Sequence, residues 1–119
     1  IPLGALTLTA SHSGSDSIRL AVAPTVSGTS VAADIRRVSI YDGGTFDIQT
    51  NDNATVSARL VVDDIVYNRS REMHWMTIRV QDPATSLWSL CSVRTFCSTT
   101  TSSRTTVWVE WICTGVSYQ

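Results

Sequence analysis

Apolar and polar residues alternate with a period of two along much of the chain, and this pattern predicts β-strands. The clearest example is Thr105–Thr114, whose alternate side chains point to opposite faces of one strand. One face consists of Val107, Val109, Trp111 and Cys113, and the other of Thr106, Trp108, Glu110 and Ile112. The first face is apolar throughout and is expected to lie on the core. Because the second face carries Trp108 and Ile112, we place this strand centrally in a sheet.

The same alternation recurs in short segments that are separated by turn signals every 8–12 residues or so, which is typical of a sandwich or a small barrel. We predict strands over residues 5–10, 18–22, 35–41, 46–48, 55–62, 65–67, 73–80, 86–97 and 105–114. The stretch 86–97 fits either a hairpin or one bent strand. Turns or loops are predicted at 11–17, 23–30, 42–44, 51–53, 68–71, 82–83 and 98–103. The fold class is therefore all-β: an antiparallel β-sandwich or jelly-roll-like barrel of eight to nine short strands.

Composition supports the same fold class and limits the number of domains. The chain has 119 residues with 16 Ser, 16 Thr, no Lys and only two Glu, so strong helix formers are scarce. This length suits one domain. We expect a linker remnant over residues 1–5 and a single β-sandwich domain over 6–119, excised from a longer chain.

Charge and hydropathy exclude two classes of partner. The formal net charge is −1, which gives no electrostatic attraction toward nucleic acid or an anionic membrane. No apolar run approaches the roughly 20 residues that a membrane-spanning helix needs. We therefore expect neither direct nucleic-acid binding nor membrane insertion.

Three cysteines, Cys91, Cys97 and Cys113, are an odd number and argue against a disulfide framework. A Cys91–Cys97 bridge across a short hairpin remains an alternative. We expect buried, reduced cysteines, because Cys113 lies on the predicted apolar face and a free cysteine behaves as a small hydrophobe.

Little in the sequence indicates catalysis. His74 shares its face with Met76, Ile78 and Val80, so we interpret it as a hydrogen-bonded core or interface histidine. No G-x-S-x-G or other activating context accompanies the many serines. We therefore predict no catalytic residues and no enzymatic activity.

The acidic pair Asp63-Asp64 is the one alternative for a metal, since carboxylate oxygens at strand ends bind calcium. Against it stands ordinary turn chemistry, in which Asp and Asn bond their own backbone. We expect no cofactor and keep calcium as the alternative. Asn53 and Asn68 begin glycosylation sequons, which matter only in a secreted protein.

Exposed aromatic residues offer two kinds of binding surface. Trp108 and Ile112 point away from the predicted core and are candidates for a dimer interface, where aromatic anchors are enriched. The alternative function is that of a lectin-like carbohydrate-binding module, in which aromatic rings stack on sugar rings and Asp or Asn side chains in turns form hydrogen bonds with the sugar. Its candidate residues are Asn51, Asp52, Asn53, Trp75 and Trp88.

The closing segment TTVWVEWICTGVSYQ, together with the opening IPLGALTLTAS, resembles the protrusion domain of a nodavirus capsid protein of the shrimp-nodavirus type. The resemblance covers the whole chain. It implies a C-terminal domain that projects from an icosahedral shell, forms dimeric surface spikes and attaches to a host-cell receptor or glycan. It further implies a connection to the shell domain of the same protein, assembly in the host cytoplasm and a place on the virion surface. Related fish-virus domains carry a D-x-D calcium motif, which this chain lacks.

Overall fold

Two antiparallel sheets form the fold of this chain in a computed structural model that describes residues 1–13, 17–41, 44–65, 71–101 and 104–115. The strands are β1 (Pro2–Leu3), β2 (Leu6–Ser13), β3 (Ser17–Pro24), β4 (Val31–Tyr41), β5 (Phe46–Val56), β6 (Leu60–Ile65), β7 (Arg71–Gln81), β8 (Trp88–Thr101) and β9 (Arg104–Gly115). The four-stranded sheet has the order β1-β2-β3-β6, and the five-stranded sheet has the order β5-β4-β7-β8-β9. The predicted β-sandwich is confirmed. Within the described part of the chain, no helix is long and apolar enough to cross a membrane.

The space between the sheets is filled mainly by aliphatic side chains that alternate inward along each strand. Leu6, Leu8 and Leu20 reach in from the four-stranded sheet, and Ile35 and Ile78 meet them from the five-stranded sheet. All five are at most 2% exposed. Each such side chain contributes roughly 1.5–3 kcal/mol of transfer free energy when it is fully buried, so this layer holds the sheets together.

The last strand, β9, was predicted to be central in its sheet, and this prediction is wrong. It lies at the edge of the five-stranded sheet, next to β8. Its inward face is Val107, Val109, Trp111 and Cys113, as predicted, but only the two valines are half-buried. Trp111 remains 46% exposed. An edge position explains why both faces of β9 carry apolar residues that stay in contact with solvent.

The turn predicted within the long strand β5 was wrong. Residues 51–53, predicted as a turn, lie inside β5. The ladder to β4 shifts register between Ala33 and Ile35, and Asn53 takes a positive φ of 55°. The Asp34 carboxylate accepts a hydrogen bond from the Asn53 N–H at 2.6 Å. Asn tolerates this conformation, so the polar triplet makes a bulge rather than a chain reversal.

The predicted strand over 55–62 is also interrupted, because β5 ends at Val56 and β6 begins at Leu60 in the other sheet. Asp63, expected to end a strand, lies within β6. Residues 88–97 of the predicted stretch 86–97 belong to a single strand, β8, which continues into the predicted loop 98–103. Much of the predicted strand over 65–67, the turn at 42–44 and the loop at 68–71 lie outside the described residues.

Residues 1–5, expected to be a linker remnant, are part of the sandwich. Pro2–Leu3 forms β1 and pairs with β2, and Leu3 is fully buried. The N-terminal ammonium of Ile1 donates a hydrogen bond to the Leu8 carbonyl oxygen at 3.0 Å. These contacts fix the start of the described chain to the four-stranded sheet.

The cysteine prediction was wrong for two of the three residues, since Cys91 and Cys113 form a disulfide between β8 and β9 and Cys113 is exposed. The alternative Cys91–Cys97 bridge does not form either. The two residues face each other directly across the antiparallel ladder. Sequence spacing gives no sign of this pairing, because it depends on the strand register. Cys97 is a free, buried thiol, as expected.

The disulfide fastens an edge strand, so we expect its reduction to destabilise the domain. It closes a loop with a sequence separation of 22, and the loop-entropy model gives about 3 kcal/mol for such a length. Urea unfolding with and without a reductant measures this loss. The Cys113→Ser variant is expected to be equally destabilised and insensitive to reductant. Equal stability of the oxidised and reduced protein would contradict this assignment.

Candidate functional site

Two adjacent rows of mostly apolar side chains cross the outer face of the five-stranded sheet, and we call the surface formed by these two rows the apolar face. One row runs through all five strands and consists of Phe46, Ile40, Met73, Phe96 and Trp108, which are successive register partners. The neighbouring row is Ile48, Val38, Trp75, Arg94 and Glu110. Strand register alone therefore brings residues from five distant segments of the chain onto one surface.

Large side chains on the apolar face remain open to solvent. Phe46 is 67% exposed, Ile48 61% and Trp108 54%. The rings of Phe96 and Trp108 pack with their centroids 5.3 Å apart, a favourable tilted arrangement. Contiguous exposed apolar patches of more than a few hundred Å² are rare on soluble monomers and mark interaction sites. The apolar face is therefore the first candidate site.

A hollow of about 490 Å³ lies between β7, β8 and β9 on this side of the molecule. Met73, Phe96 and Trp108 form its apolar part. Arg94 and Glu110, which form an ion pair with each other, supply its polar part. A second hollow of about 330 Å³, bordered by the same ion pair and by Trp111 and Ile112, continues toward the far end of β9.

The outer face of the four-stranded sheet has the opposite character. Its β2 positions are Thr7, Thr9 and Ser11, which alternate with the buried Leu6 and Leu8. Val61 is the only large apolar side chain exposed on the described part of this sheet. The exposed apolar residues thus lie mainly on the outer face of the five-stranded sheet, which makes it the stronger candidate for an interaction surface.

Both residues predicted for a dimer interface point outward as expected. Trp108 belongs to the apolar face, and Ile112 lies on the same outer side of β9, with 65% of its surface exposed. The alternation within β9 predicted this orientation. It gave no indication of Phe46, Ile48 and Phe96, since these become neighbours of Trp108 only through the order of strands in the sheet.

The residues predicted for glycan binding do not form one cluster. Trp75 lies within the apolar face, 49% exposed. Trp88 lies at the other end of the sheet, where the Arg79 guanidinium covers its ring at 4.3 Å. Arg79 also pairs with Asp34 at 3.2 Å, and Asp34 holds the backbone of Asn53.

The other two candidates of that set lie on β5. Asn51 and Asp52 are exposed there, and Asp52 pairs with Arg36 at 3.6 Å. Asn53 and Trp88 are thus linked through Asp34 and Arg79. Asn51 and Asp52 precede Asn53 on β5, whereas Trp75 belongs to the apolar face.

The second candidate site is a buried cluster of charged residues between the two sheets. Asp63 comes from β6 of the four-stranded sheet, whereas Arg37, Glu72 and His74 come from the five-stranded sheet. The His74 Nε2 atom lies 2.8 Å from Asp63 Oδ2 and 3.1 Å from Glu72 Oε2. Arg37 Nη1 lies 3.0 Å from the same Asp63 oxygen. The imidazole is fully buried, and the other three residues are at most 9% exposed.

Neighbouring hydroxyl groups complete this buried cluster. The His74 Nδ1 atom lies 2.6 Å from Thr95 Oγ1, and the Ser39 hydroxyl donates to Asp63 Oδ2 at 2.9 Å. Arg37 Nη2 reaches outward to Asp47 at 3.2 Å. The prediction that His74 is a hydrogen-bonded core histidine is confirmed. Sequence reasoning missed Glu72 and Arg37, although Glu72 and His74 are two positions apart and thus share a strand face.

Burial by itself would lower the pKa of His74, but hydrogen bonds to Asp63, Cys97 and Glu72 and the charge of Asp63 raise it to about 10. Burial would raise the pKa of Asp63, yet hydrogen bonds from His74 and Ser39 and the charges of His74 and Arg37 hold it below its usual value. His74 is therefore an imidazolium at neutral pH, and its positive charge balances carboxylates from both sheets.

Asp63 and Asp64, the alternative metal pair, lie on β6. Asp63 joins the buried cluster, and the side chain of Asp64 lies outside the described residues. The described residues that could hold a metal together are instead Asp63, Glu72 and His74, whose ligand atoms all lie within 4.8 Å of one another. A run of adjacent acids in the sequence was thus a poor guide to the set that the fold assembles.

The raised pKa of His74 makes stability depend on pH in alkaline solution. Because the pKa of His74 is higher in the folded than in the unfolded chain, its protonation stabilises the folded state. This contribution is fully present below the unfolded pKa of about 6.5 and is lost as the pH rises toward the folded pKa of about 10. We expect the free energy of unfolding, measured in EDTA, to fall by up to about 1.4 kcal/mol per pH unit across that window.

The His74→Gln variant provides the control, because a glutamine cannot gain or lose this proton. We expect the pH dependence between 6.5 and 9 to be shallower in this variant. Urea unfolding at several pH values measures both proteins. Identical slopes would show that His74 is not protonated in the folded domain.

Comparison with known proteins adds no relative. No protein-family model matches the chain, and no curated protein and no solved structure is significantly similar to it. The function must be argued from the residues and from the geometry of the apolar face and the buried cluster.

Proposed function

We propose that this chain is a non-catalytic surface domain that pairs with a second copy of itself through the apolar face, as the dimeric spike of a virus shell does. The observation that carries the proposal is the unbroken apolar row from Phe46 to Trp108 across all five strands, left open to solvent. The opposite outer face, on the four-stranded sheet, is rich in Ser and Thr. Two copies that bury their apolar faces against each other would remove the aromatic row from water and leave the more polar sheets outside.

The apolar face supplies the central part of such an interface. Five strands spaced about 4.8 Å apart give a width of about 24 Å, and two rows of side chains about 6.8 Å apart give a height of about 14 Å. The product, about 330 Å², is less than half of the roughly 800 Å² that each partner contributes to a standard interface, so surrounding residues must supply the rest. Ile112, one row beyond Glu110, extends the surface along β9.

The ion pair within the apolar face is also compatible with pairing. Arg94 and Glu110 are neighbours across the β8–β9 ladder and neutralise each other on the surface. The pair lies on the two strands at one edge of the sheet and therefore at the rim of the apolar face. The rim of an interface is usually polar and keeps contact with water, so an ion pair is tolerated there.

Burial argues against catalysis at the one histidine cluster. Thr95, His74 and Asp63 are linked as a hydroxyl, an imidazole and a carboxylate, the groups of a hydrolase triad. All three are at most 9% exposed, which argues against access of a substrate to the hydroxyl. The cluster therefore supports a structural role.

The resemblance of the opening and closing segments to shrimp-nodavirus protrusion domains gives this pairing its biological setting. In that setting the domain stands on the virion surface, linked to a shell domain of the same protein, and engages a receptor or glycan on the host cell. A rigid sandwich with little net charge suits a spike, since it leaves genome binding to other parts of the capsid protein.

Replacing Trp108 by Ser is expected to weaken self-association at least 10-fold, because it removes a large side chain from the apolar row. Trp108 is 54% exposed, so the fold is expected to persist, which circular dichroism checks. Sedimentation velocity over a range of concentrations measures the dissociation constant.

Val61→Ser is the matched control, since Val61 is a partly exposed apolar residue on the outer face of the other sheet. This variant is expected to associate like the unaltered protein. A purely monomeric unaltered protein at high concentration, or equal loss in both variants, would contradict pairing through the apolar face.

A lectin-like function is the second candidate, and the hollow beside Trp108 favours it. An aromatic ring next to the Arg94–Glu110 ion pair offers a sugar one stacking surface and several hydrogen-bonding groups. The Phe46→Ser variant separates the two functions, because it disrupts the apolar row on β5 and keeps this hollow intact. Glycan-array binding by monomeric Phe46→Ser, abolished by adding Trp108→Ser, would establish the lectin. Absence of glycan binding by both the unaltered protein and the Phe46→Ser variant would exclude the lectin-like function.

A further inference from the structure

We propose that Asp63, Glu72 and His74 form a site for one Zn²⁺ ion that bridges the two sheets. The inference is independent of pairing through the apolar face, because the three residues lie in the interior of the sandwich. Their chemistry fits zinc, which binds imidazole nitrogen and carboxylate oxygen. Asp63 belongs to one sheet and the other two residues to the opposite sheet.

The distances among the ligand atoms are close to those of a metal site. Zinc bonds of about 2.0–2.2 Å in a tetrahedron place neighbouring ligand atoms about 3.3–3.5 Å apart. Here the His74 Nε2 atom lies 2.8 Å from Asp63 Oδ2 and 3.1 Å from Glu72 Oε2. All three ligand atoms lie within 4.8 Å of one another. Side-chain shifts of well under 1 Å would bring them around one ion.

The electrostatics of the cluster require a positive charge at this point. Two carboxylate oxygens converge on His74 Nε2, and their repulsion must be balanced by a proton on that nitrogen or by a cation in its place. Among the buried groups, Asp63 and Glu72 face Arg37, so a positive charge at His74, from a proton or from a bound cation, is what balances the second carboxylate.

The surroundings hold the three ligands in place. Thr95 Oγ1, 2.6 Å from His74 Nδ1, accepts the Nδ1 proton and turns Nε2 toward the carboxylates. Ser39 and Arg37 hydrogen-bond to Asp63. Metal-binding histidines and carboxylates regularly have such outer partners, which fix their orientation. The Ser39 hydroxyl, 2.9 Å from Asp63 Oδ2, offers a neutral oxygen beside the three ligands.

The donor set selects zinc over the hard cations. Calcium requires six to eight oxygen ligands, and magnesium retains several waters in an octahedron. One nitrogen and two carboxylates in a closed interior supply neither. The site therefore differs in ligands from the calcium alternative based on Asp63 and Asp64.

Binding exchanges a proton for the metal. Zn²⁺ binds the lone pair of the deprotonated Nε2 atom, so the metal competes with a proton for that nitrogen. Because the ligands are buried, we expect zinc to enter during folding rather than by diffusion into the folded domain.

The test is refolding of the chain from urea with one equivalent of ZnCl₂, followed by gel filtration and metal analysis. We expect about one zinc per chain in the unaltered protein. The His74→Asn and Glu72→Gln variants are expected to bind at least 10-fold more weakly. His12→Asn is the matched control, because His12 is the only other histidine, and it is expected to retain full binding.

A readout on the unaltered protein covers the case in which a variant fails to fold. In ¹⁵N spectra of the histidine side chains, zinc should remove the proton from Nε2 of one histidine, and the His12→Asn variant should show the same change. Failure of the unaltered protein to retain zinc after refolding would overturn the proposal. Retention of zinc by folded His74→Asn at the level of the unaltered protein would overturn it as well.

Discussion

The contact of His74 with Asp63, 2.8 Å across the space between the sheets, is the interaction on which the arrangement of this sandwich most depends. Apolar packing brings two sheets together without specifying how they align. A buried charge pair does specify this, because leaving either partner alone in the interior costs several kcal/mol. Arg37 and Glu72 extend the pair into a cluster with few alternative partners. Strand register is constrained accordingly, since a slip of one residue would turn His74 outward.

At two places the domain departs from the usual rule that apolar side chains are buried and charged side chains are exposed. Charged groups lie inside, and a row of large apolar side chains lies outside. The first could be foreseen only in part: alternation placed His74 on an apolar face, but its partners Arg37 and Asp63 come from other strands. The second was foreseen for Trp108 alone. Phe46 and Phe96 join it through long-range pairing, which period-two patterns do not encode.

Much of the fold followed from alternation, including most of the inward and outward faces and the fold class. Strand order did not follow, so β9 was placed at the centre of a sheet although it pairs only with β8. The large apolar residues of β9 suggested a buried central strand, but Trp108, Trp111 and Ile112 are exposed at the edge of the sheet. The polar triplet 51–53 suggested a turn, yet Asn53 adopts a positive φ within a bulge. The Cys91–Cys113 disulfide likewise depends on register, which residue spacing cannot supply.

Pairing through the apolar face is the central claim, and an isotope-filtered NOE experiment tests it most directly. Equal amounts of ¹³C-labelled and unlabelled chain are refolded together, so that only contacts between copies give filtered signals. The claim predicts intermolecular NOEs from the rings of Phe46, Phe96 and Trp108, and none from Thr7 or Thr9 on the opposite sheet. Intermolecular NOEs confined to the four-stranded sheet, or none at concentrations where the protein sediments as a dimer, would contradict it.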